Sequence, residues 1–213
     1  MKMFLFFLVI SLDVFAKELP YVSYPFRMGR GILCDQGSQS PEGNSHTDIN
    51  TLYALDLATP AFAEPAGILA SIEGTVISYG DCIEYNTNCG AGFGNHVKIL
   101  GDNGVLVLNA HLEKVFVKTG DFVKVGDLIG LEGNTGLTGS HNRHLHFSVH
   151  TDWRVYGHKY YEKYLGSVPP SVPFEMNICQ KQYSTCGPRA LDIRELKCKR
   201  MTGETEWVQA NLL

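Results

Sequence analysis

Apolar and polar residues alternate along much of this chain with a period of two. The clearest case is His144-Leu145-His146-Phe147-Ser148-Val149-His150. On a strand with one buried face, Leu145, Phe147 and Val149 would point into a core, and His144, His146, Ser148 and His150 would point away from it. His96 to Leu100 and Val105 to Asn109 flank Gly101-Asp102-Asn103-Gly104, which predicts a hairpin. Tyr53 to Ala58 reads as a short strand carrying Asp56, and Ile68 to Ser78 as two strand pieces around Glu73-Gly74. Between Val115 and Leu131, the pairs Gly120-Asp121 and Gly126-Asp127 separate short apolar runs and predict successive tight turns. Only the aromatic-rich stretch Trp153 to Leu165 leaves a helix open. The predicted class is all-β and antiparallel.

The same pattern divides the chain. Lys2, the apolar run Phe4 to Ile10 and Val14-Phe15-Ala16 read residues 1–16 as a secretory signal peptide, too short to span a bilayer. That predicts a secreted or periplasmic protein, and no later segment is apolar enough for a membrane span. Residues 17–36 read as an N-terminal arm, 37–150 as the core domain, and 151–213 as a disulfide-stapled C-terminal extension containing Pro169, Pro170 and Pro173.

Composition narrows the function classes. The chain has 213 residues, 44% of them hydrophobic and 19% charged, enough for one soluble domain with a sizeable core. A net charge of −4 without a basic block excludes a phosphate-binding surface, and with it nucleic acid as a partner. Six cysteines in an exported chain predict three disulfides. Cys82 and Cys89 flank a short polar segment and are expected to staple one loop. Cys34, Cys179, Cys186 and Cys198 leave three pairings open, and a zinc knuckle from the last three is the alternative.

The histidines carry the candidate chemistry. Two imidazoles two residues apart on one strand face can reach the same small object, and neutral imidazole both ligates zinc and moves protons near neutral pH. A catalytic zinc needs three protein ligands and an open fourth position. His46 and Asp56 stand before the core strands and offer an imidazole and a carboxylate to join the His144 strand.

Several motifs together resemble one family. His144-Leu145-His146-Phe147 is similar to the His-x-His motif of the lysostaphin-type zinc endopeptidases, peptidase family M23. Asn109-Ala110-His111-Leu112 looks like that family's Tyr-Ala-His-Leu stretch, with Asn for Tyr. Val117 to Gly130, Gly133-Asn134-Thr135-Gly136 and Gly94-Asn95-His96-Val97 resemble its connecting segments. The resemblance runs from about Gly37 to Val149 and implies an antiparallel core with a narrow groove. It implies one Zn2+ per chain, held by His146 with His46 and Asp56, and His144 and His111 as catalytic groups. His144 would take the proton of the attacking water, and His111 would stabilise the oxyanion.

The family's His-x-x-x-Asp spacing is not kept. Asn50 stands four residues after His46, Asp56 lies within Tyr53-Ala54-Leu55-Asp56, and Asp48 is the rival ligand. Of the other histidines, an incidental role is favoured for His96 over lining the groove and for His141 over touching substrate, His150 is expected at the surface, and His158 has no role. The activity implied is hydrolysis of peptide bonds in bacterial peptidoglycan. The alternatives are a catalytically inactive M23-like regulator of a cell-wall amidase, and a disulfide-stapled binding module.

Overall fold

The structure is a computed structural model that describes residues 18–27, 31–38, 46–139, 142–151, 168–177, 190–195 and 207–208. The expected signal peptide, the ambiguous segment Trp153 to Leu165, His141, His158, Cys179, Cys186 and Cys198 lie outside the described residues.

The strands are β1 (Tyr21–Ser23), β2 (Ile32–Gln36), β3 (Leu55–Ala58), β4 (Gly67–Leu69), β5 (Gly74–Tyr79), β6 (Asn95–Leu100) and β7 (Leu106–Leu112). They continue with β8 (Lys114–Val115), β9 (Phe122–Val123), β10 (Leu128–Leu131), β11 (Leu145–His150), β12 (Glu175–Asn177), β13 (Ala190–Asp192) and β14 (Trp207–Val208). No α-helix occurs among the described residues, and no helix there is long and apolar enough to cross a membrane.

The central sheet has eight antiparallel strands in the order β14-β2-β3-β11-β7-β6-β5-β9. A three-stranded antiparallel sheet, β4-β10-β8, accompanies it. A third sheet, β1-β12-β13, joins the two ends of the chain, and its β1–β12 pair is parallel. That pair is the departure from an antiparallel plan. It forms because β1 and β12 are far apart in sequence, so no tight turn dictates their direction.

Alternation predicts the core correctly. Leu55, Leu57, Leu145, Phe147, Val149, Val97, Ile99 and Val107 of the central sheet cluster with Ile68, Ala70 and Ile129 of the small sheet, all buried. Phe147 meets Phe174 edge-on at 5.6 Å, which ties the segment before β12 to the core.

The opposite face of the central sheet is covered as well, which corrects one expectation. All six residues of β11 are buried. His150, expected at the surface, is fully buried: its Nδ1 donates to Pro169 O at 2.7 Å, and Nε2 pairs with Ser148 Oγ at 2.9 Å. Burial pushes the His150 imidazole down to about 3 and the Lys98 ammonium, on nearby β6, down to about 7. The covering layer includes Val168, which packs with Ile77, Leu100, Leu106, Leu108 and Ala110. A period of two tells which residues share a face, and says nothing of whether the chain returns to cover it. His96 is likewise buried rather than groove-lining, with Nδ1 donating to Gly94 O at 2.8 Å.

Cys82 and Cys89 are bonded to each other, as their spacing suggests, and Cys34 is disulfide-bonded too.

Candidate metal and catalytic centre

Three strands bring the site together. In the ladder between β3 and β11, Asp56 lies directly opposite His146, so both side chains rise on the same face. On the other flank of β11, His146 lies opposite Ala110 of β7. Strict alternation would then place His111 with the core residues Val107 and Asn109.

A β-bulge prevents this. Between Asn95 and Val97 the ladder advances two residues on β6, while its partner on β7 moves three, from Leu112 to Asn109. The extra residue falls at Ala110-His111, and His111 adopts φ 61°. The bulge lets Leu112 return to the core and turns the His111 ring toward the site. His46 also has a positive φ, 58°. Such backbone costs a non-glycine residue about 1–3 kcal/mol and persists where the surroundings enforce it, often at functional sites.

The resulting geometry is tight. His46 Nε2 lies 3.2 Å from Asp56 Oδ1 and 3.3 Å from His146 Nδ1, and His146 Nδ1 lies 3.1 Å from Asp56 Oδ1. All three residues are buried, and His46, Asp56 and His146 form a group able to hold a metal ion. Asp48, the rival ligand, is exposed, and its carbonyl accepts the Thr51 amide at 2.9 Å.

Proton inventory reveals what the cluster needs. His46 Nδ1 faces Gly37 O at 3.1 Å, and a carbonyl only accepts, so Nδ1 carries the proton and Nε2 presents a bare lone pair. That lone pair faces a carboxylate oxygen, itself an acceptor. Burial pushes the Asp56 carboxyl up, but the His144, His46 and His146 imidazoles around it outweigh burial and hold it well below the usual range. Burial pushes His146 below its ordinary value. The His46 Nε2 lone pair and Asp56 Oδ1, two acceptors 3.2 Å apart, repel one another unless a cation sits beside them. Three ligands about 2.1 Å from a tetrahedral zinc stand about 3.4 Å apart, close to what is seen. The residues therefore fit the metal that their resemblance implies.

Two more imidazoles border this group. His144 Nε2 lies 4.0 Å from Asp56 Oδ1, and its Nδ1 donates to Asn142 O at 3.3 Å. His111 Nδ1 donates to Thr135 O at 2.8 Å. The His111 and His144 rings have centroids 4.9 Å apart, and both are buried. With Nδ1 protonated in each, both present a bare Nε2. Burial, then the nearby His144 and His146 rings, holds His111 well below its ordinary value, so it is neutral at neutral pH. The His146 ring packs among those of His46, Phe93 and His111.

Positioning groups surround these histidines that the motifs alone do not assign. Thr135, besides receiving His111, donates from Oγ1 to Leu112 O at 2.8 Å and accepts the Asn95 amide at 2.9 Å. The Asn95 side chain bonds both Cys82 N and Cys82 O. Gly136 sits where a Cβ would lie 2.4 Å from Gly94 N, which explains a glycine in that close approach. Its amide donates to Glu84 O, and its carbonyl accepts from Thr87. The Cys82–Cys89 loop thus braces the segment that orients His111. Glu132, fully buried, accepts from Thr59 N at 2.8 Å, from Thr59 Oγ1 and from Ala66 N, and so fixes the loop following β3. A lone buried glutamate gives no periodic signal, which is why sequence reading passes over it.

One prediction follows from the brace. Replacing Cys82 and Cys89 by serine should cost about 2–3 kcal/mol of stability, the chain-entropy value for a loop closed over a separation of 7 residues. It should also lower turnover several-fold while zinc content holds, because Thr135 loses its backing. Thermal unfolding, metal analysis and peptide hydrolysis check this, and equal turnover would disprove the coupling.

Comparison with known proteins identifies the family. The sequence profile of peptidase family M23 matches residues 51–158, half of the chain. An uncharacterized metalloprotease of Buchnera aphidicola is 36% identical over 88 residues, which cover 41% of this chain and 21% of that protein. The chain thus spans about a fifth of the length of that relative. The catalytic domain of lysostaphin from Staphylococcus simulans is similar with a TM-score of 0.40 and 24% identity, over 60% of this chain and 81% of that one. Csd3 of Helicobacter pylori gives a TM-score of 0.42 and 24% identity over 63% of this chain and 31% of its own. With its profile match spanning Asp56, His111, His144 and His146, this chain belongs to peptidase family M23.

Proposed function

We propose that this chain is an exported zinc endopeptidase that hydrolyses peptide bonds in bacterial peptidoglycan. The observation that carries the reading is the convergence of His46 Nε2, Asp56 Oδ1 and His146 Nδ1 within 3.3 Å, with His111 and His144 beside them. His46, Asp56 and His146 would hold one Zn2+, oriented by the His46 Nδ1 bond to Gly37 O. Bound there, zinc supplies a Lewis acid that polarises a carbonyl and lowers the pKa of a coordinated water toward about 7.

The other roles belong to the chain. His144, with its Nδ1 tied to Asn142 O, offers Nε2 as the base that takes the water proton. His111 offers a second bare Nε2, so it accepts a hydrogen bond from the water in the resting state. Once it gains a proton it becomes a donor to the oxyanion and to the leaving amine. Its hydrogen bond to Thr135 O supports this order, acceptor first and donor after.

Export is supported by the N-terminal pattern of residues 1–16 and by the Cys82–Cys89 bond, which persists in oxidising compartments. A complete set of ligands and flanking histidines runs against the inactive-regulator reading.

The test is digestion of purified peptidoglycan with mass analysis of the products. Cut peptide cross-links with intact sugar strands are expected, abolished by a chelator and restored by zinc. Intact material, or cleavage between sugars, would refute the proposal.

A further inference from the structure

We infer that Arg143 is a specificity residue that binds a carboxylate of the substrate next to the scissile bond. This rests on the peptidase reading above and names the chemistry of one of its subsites. Beside His144 the molecule has an open cleft of about 240 Å³, walled by Leu33, Thr59, Ala61, Arg143 and others. That is below the range of about 300–1,000 Å³ for a pocket that encloses a whole small molecule, so it suits one side chain or peptide end of a longer ligand.

Among the described residues, no carboxylate pairs with the charge that Arg143 brings to this cleft. Its Nη2 donates to Ala63 O, which anchors the guanidinium against the loop after β3. Its Nε is buried and has no hydrogen-bond partner. None of its contacts among the described residues is with a carboxylate. Asp35, the acid on the same wall, is engaged in another interaction and is not ion-paired with Arg143. A half-buried guanidinium that gives a single hydrogen bond among the described residues and leaves its buried Nε unpartnered calls for a ligand. The planar group that matches its fork is a carboxylate, held by two parallel charge-assisted hydrogen bonds.

Position supplies the link to the reaction. Arg143 immediately precedes His144, and both line the cleft, so a side chain seated there belongs to a residue close to the bond being cut. Peptidoglycan cross-links contain diamino acids whose carboxyl group is free in some walls and amidated in others. The cleft would therefore favour the free form.

The experiment compares cross-linked stem-peptide dimers that differ only in a free or amidated carboxyl on the diamino acid. Hydrolysis by the zinc-loaded parent protein is measured as kcat/KM, and binding is measured separately on zinc-loaded His144→Ala protein. The free form should be preferred by about 10- to 100-fold in both readouts, the scale of a lost charged hydrogen-bond pair. Arg143→Gln should bring the ratio near one, and Arg143→Lys should keep part of it. A ratio near one in the parent protein, or an unchanged ratio in Arg143→Gln, overturns the inference. Failure to cleave either dimer bears on the proposed activity, and the binding ratio still decides the role of Arg143.

Discussion

Asp56→Ala is expected to release the metal and to lower peptidase activity by well over 100-fold, while Asp48→Ala leaves both close to the parent values. Asp56 Oδ1 is the only anionic atom of the cluster and touches both ligand imidazoles, at 3.1 and 3.2 Å. Removing it leaves two neutral nitrogens 3.3 Å apart, one ligand short of the three that a catalytic zinc requires. Loss of an orienting neighbour of a ligand alone costs about 10- to 100-fold in affinity or activity, so loss of a ligand costs more. Asp48 is exposed and engages its local turn through its carbonyl, so its carboxylate has no part in the cluster.

The fold of Asp56→Ala should survive, because the substitution also removes a buried anion that otherwise needs compensation. Retention of metal should fall as pH drops, since the ligand forms are the deprotonated ones. Burial pushes His146 below the ordinary imidazole value, which moves that loss to lower pH than in an exposed histidine site. Metal analysis of gel-filtered variants, with circular dichroism as a folding control, tests this. Zinc lost from Asp48→Ala and kept by Asp56→Ala would place the ligand elsewhere.

Much of this site is legible in the sequence because its elements are short and regular. The His-x-His pair is set by alternation on β11, and Asp56 by the apolar neighbours Leu55 and Leu57 that define β3. What alternation cannot give is tertiary cover and irregularity. His150 and His96 look available on their strands, and both are enclosed by chain from elsewhere. Asn109 and His111 share a parity, yet the bulge sends them to opposite faces. His46 reaches the site from a loop with a left-handed backbone, where no period applies. Thr135 and Arg143 act through contacts with residues far along the chain, Thr135 with His111 and Arg143 with Ala63, and a local pattern holds no trace of those partners.

His144→Ala and His111→Ala should each keep zinc and fold while losing about 100-fold or more in turnover, the usual scale for a general base or an oxyanion donor. Neither ring belongs to the ligand group of His46, Asp56 and His146: His144 Nε2 lies 4.0 Å from Asp56 Oδ1, and His111 Nδ1 is engaged by Thr135 O. The two rings lie against each other, with centroids 4.9 Å apart, beside the ligand group. Each has Nδ1 engaged by a backbone carbonyl, which leaves Nε2 as the nitrogen free to meet water or substrate. Two such acceptors can share the two protons of one water, and they act in sequence as one proton leaves and another is delivered to the amine. Loss of both should therefore cost far less than the product of the single losses, because the groups work as a unit. An ordinary structural histidine would instead show its loss in unfolding temperature or metal content. Turbidity loss of peptidoglycan, run beside zinc analysis for both single variants and the double variant, separates these cases. Parent-like clearing by both single variants would remove His144 and His111 from the reaction.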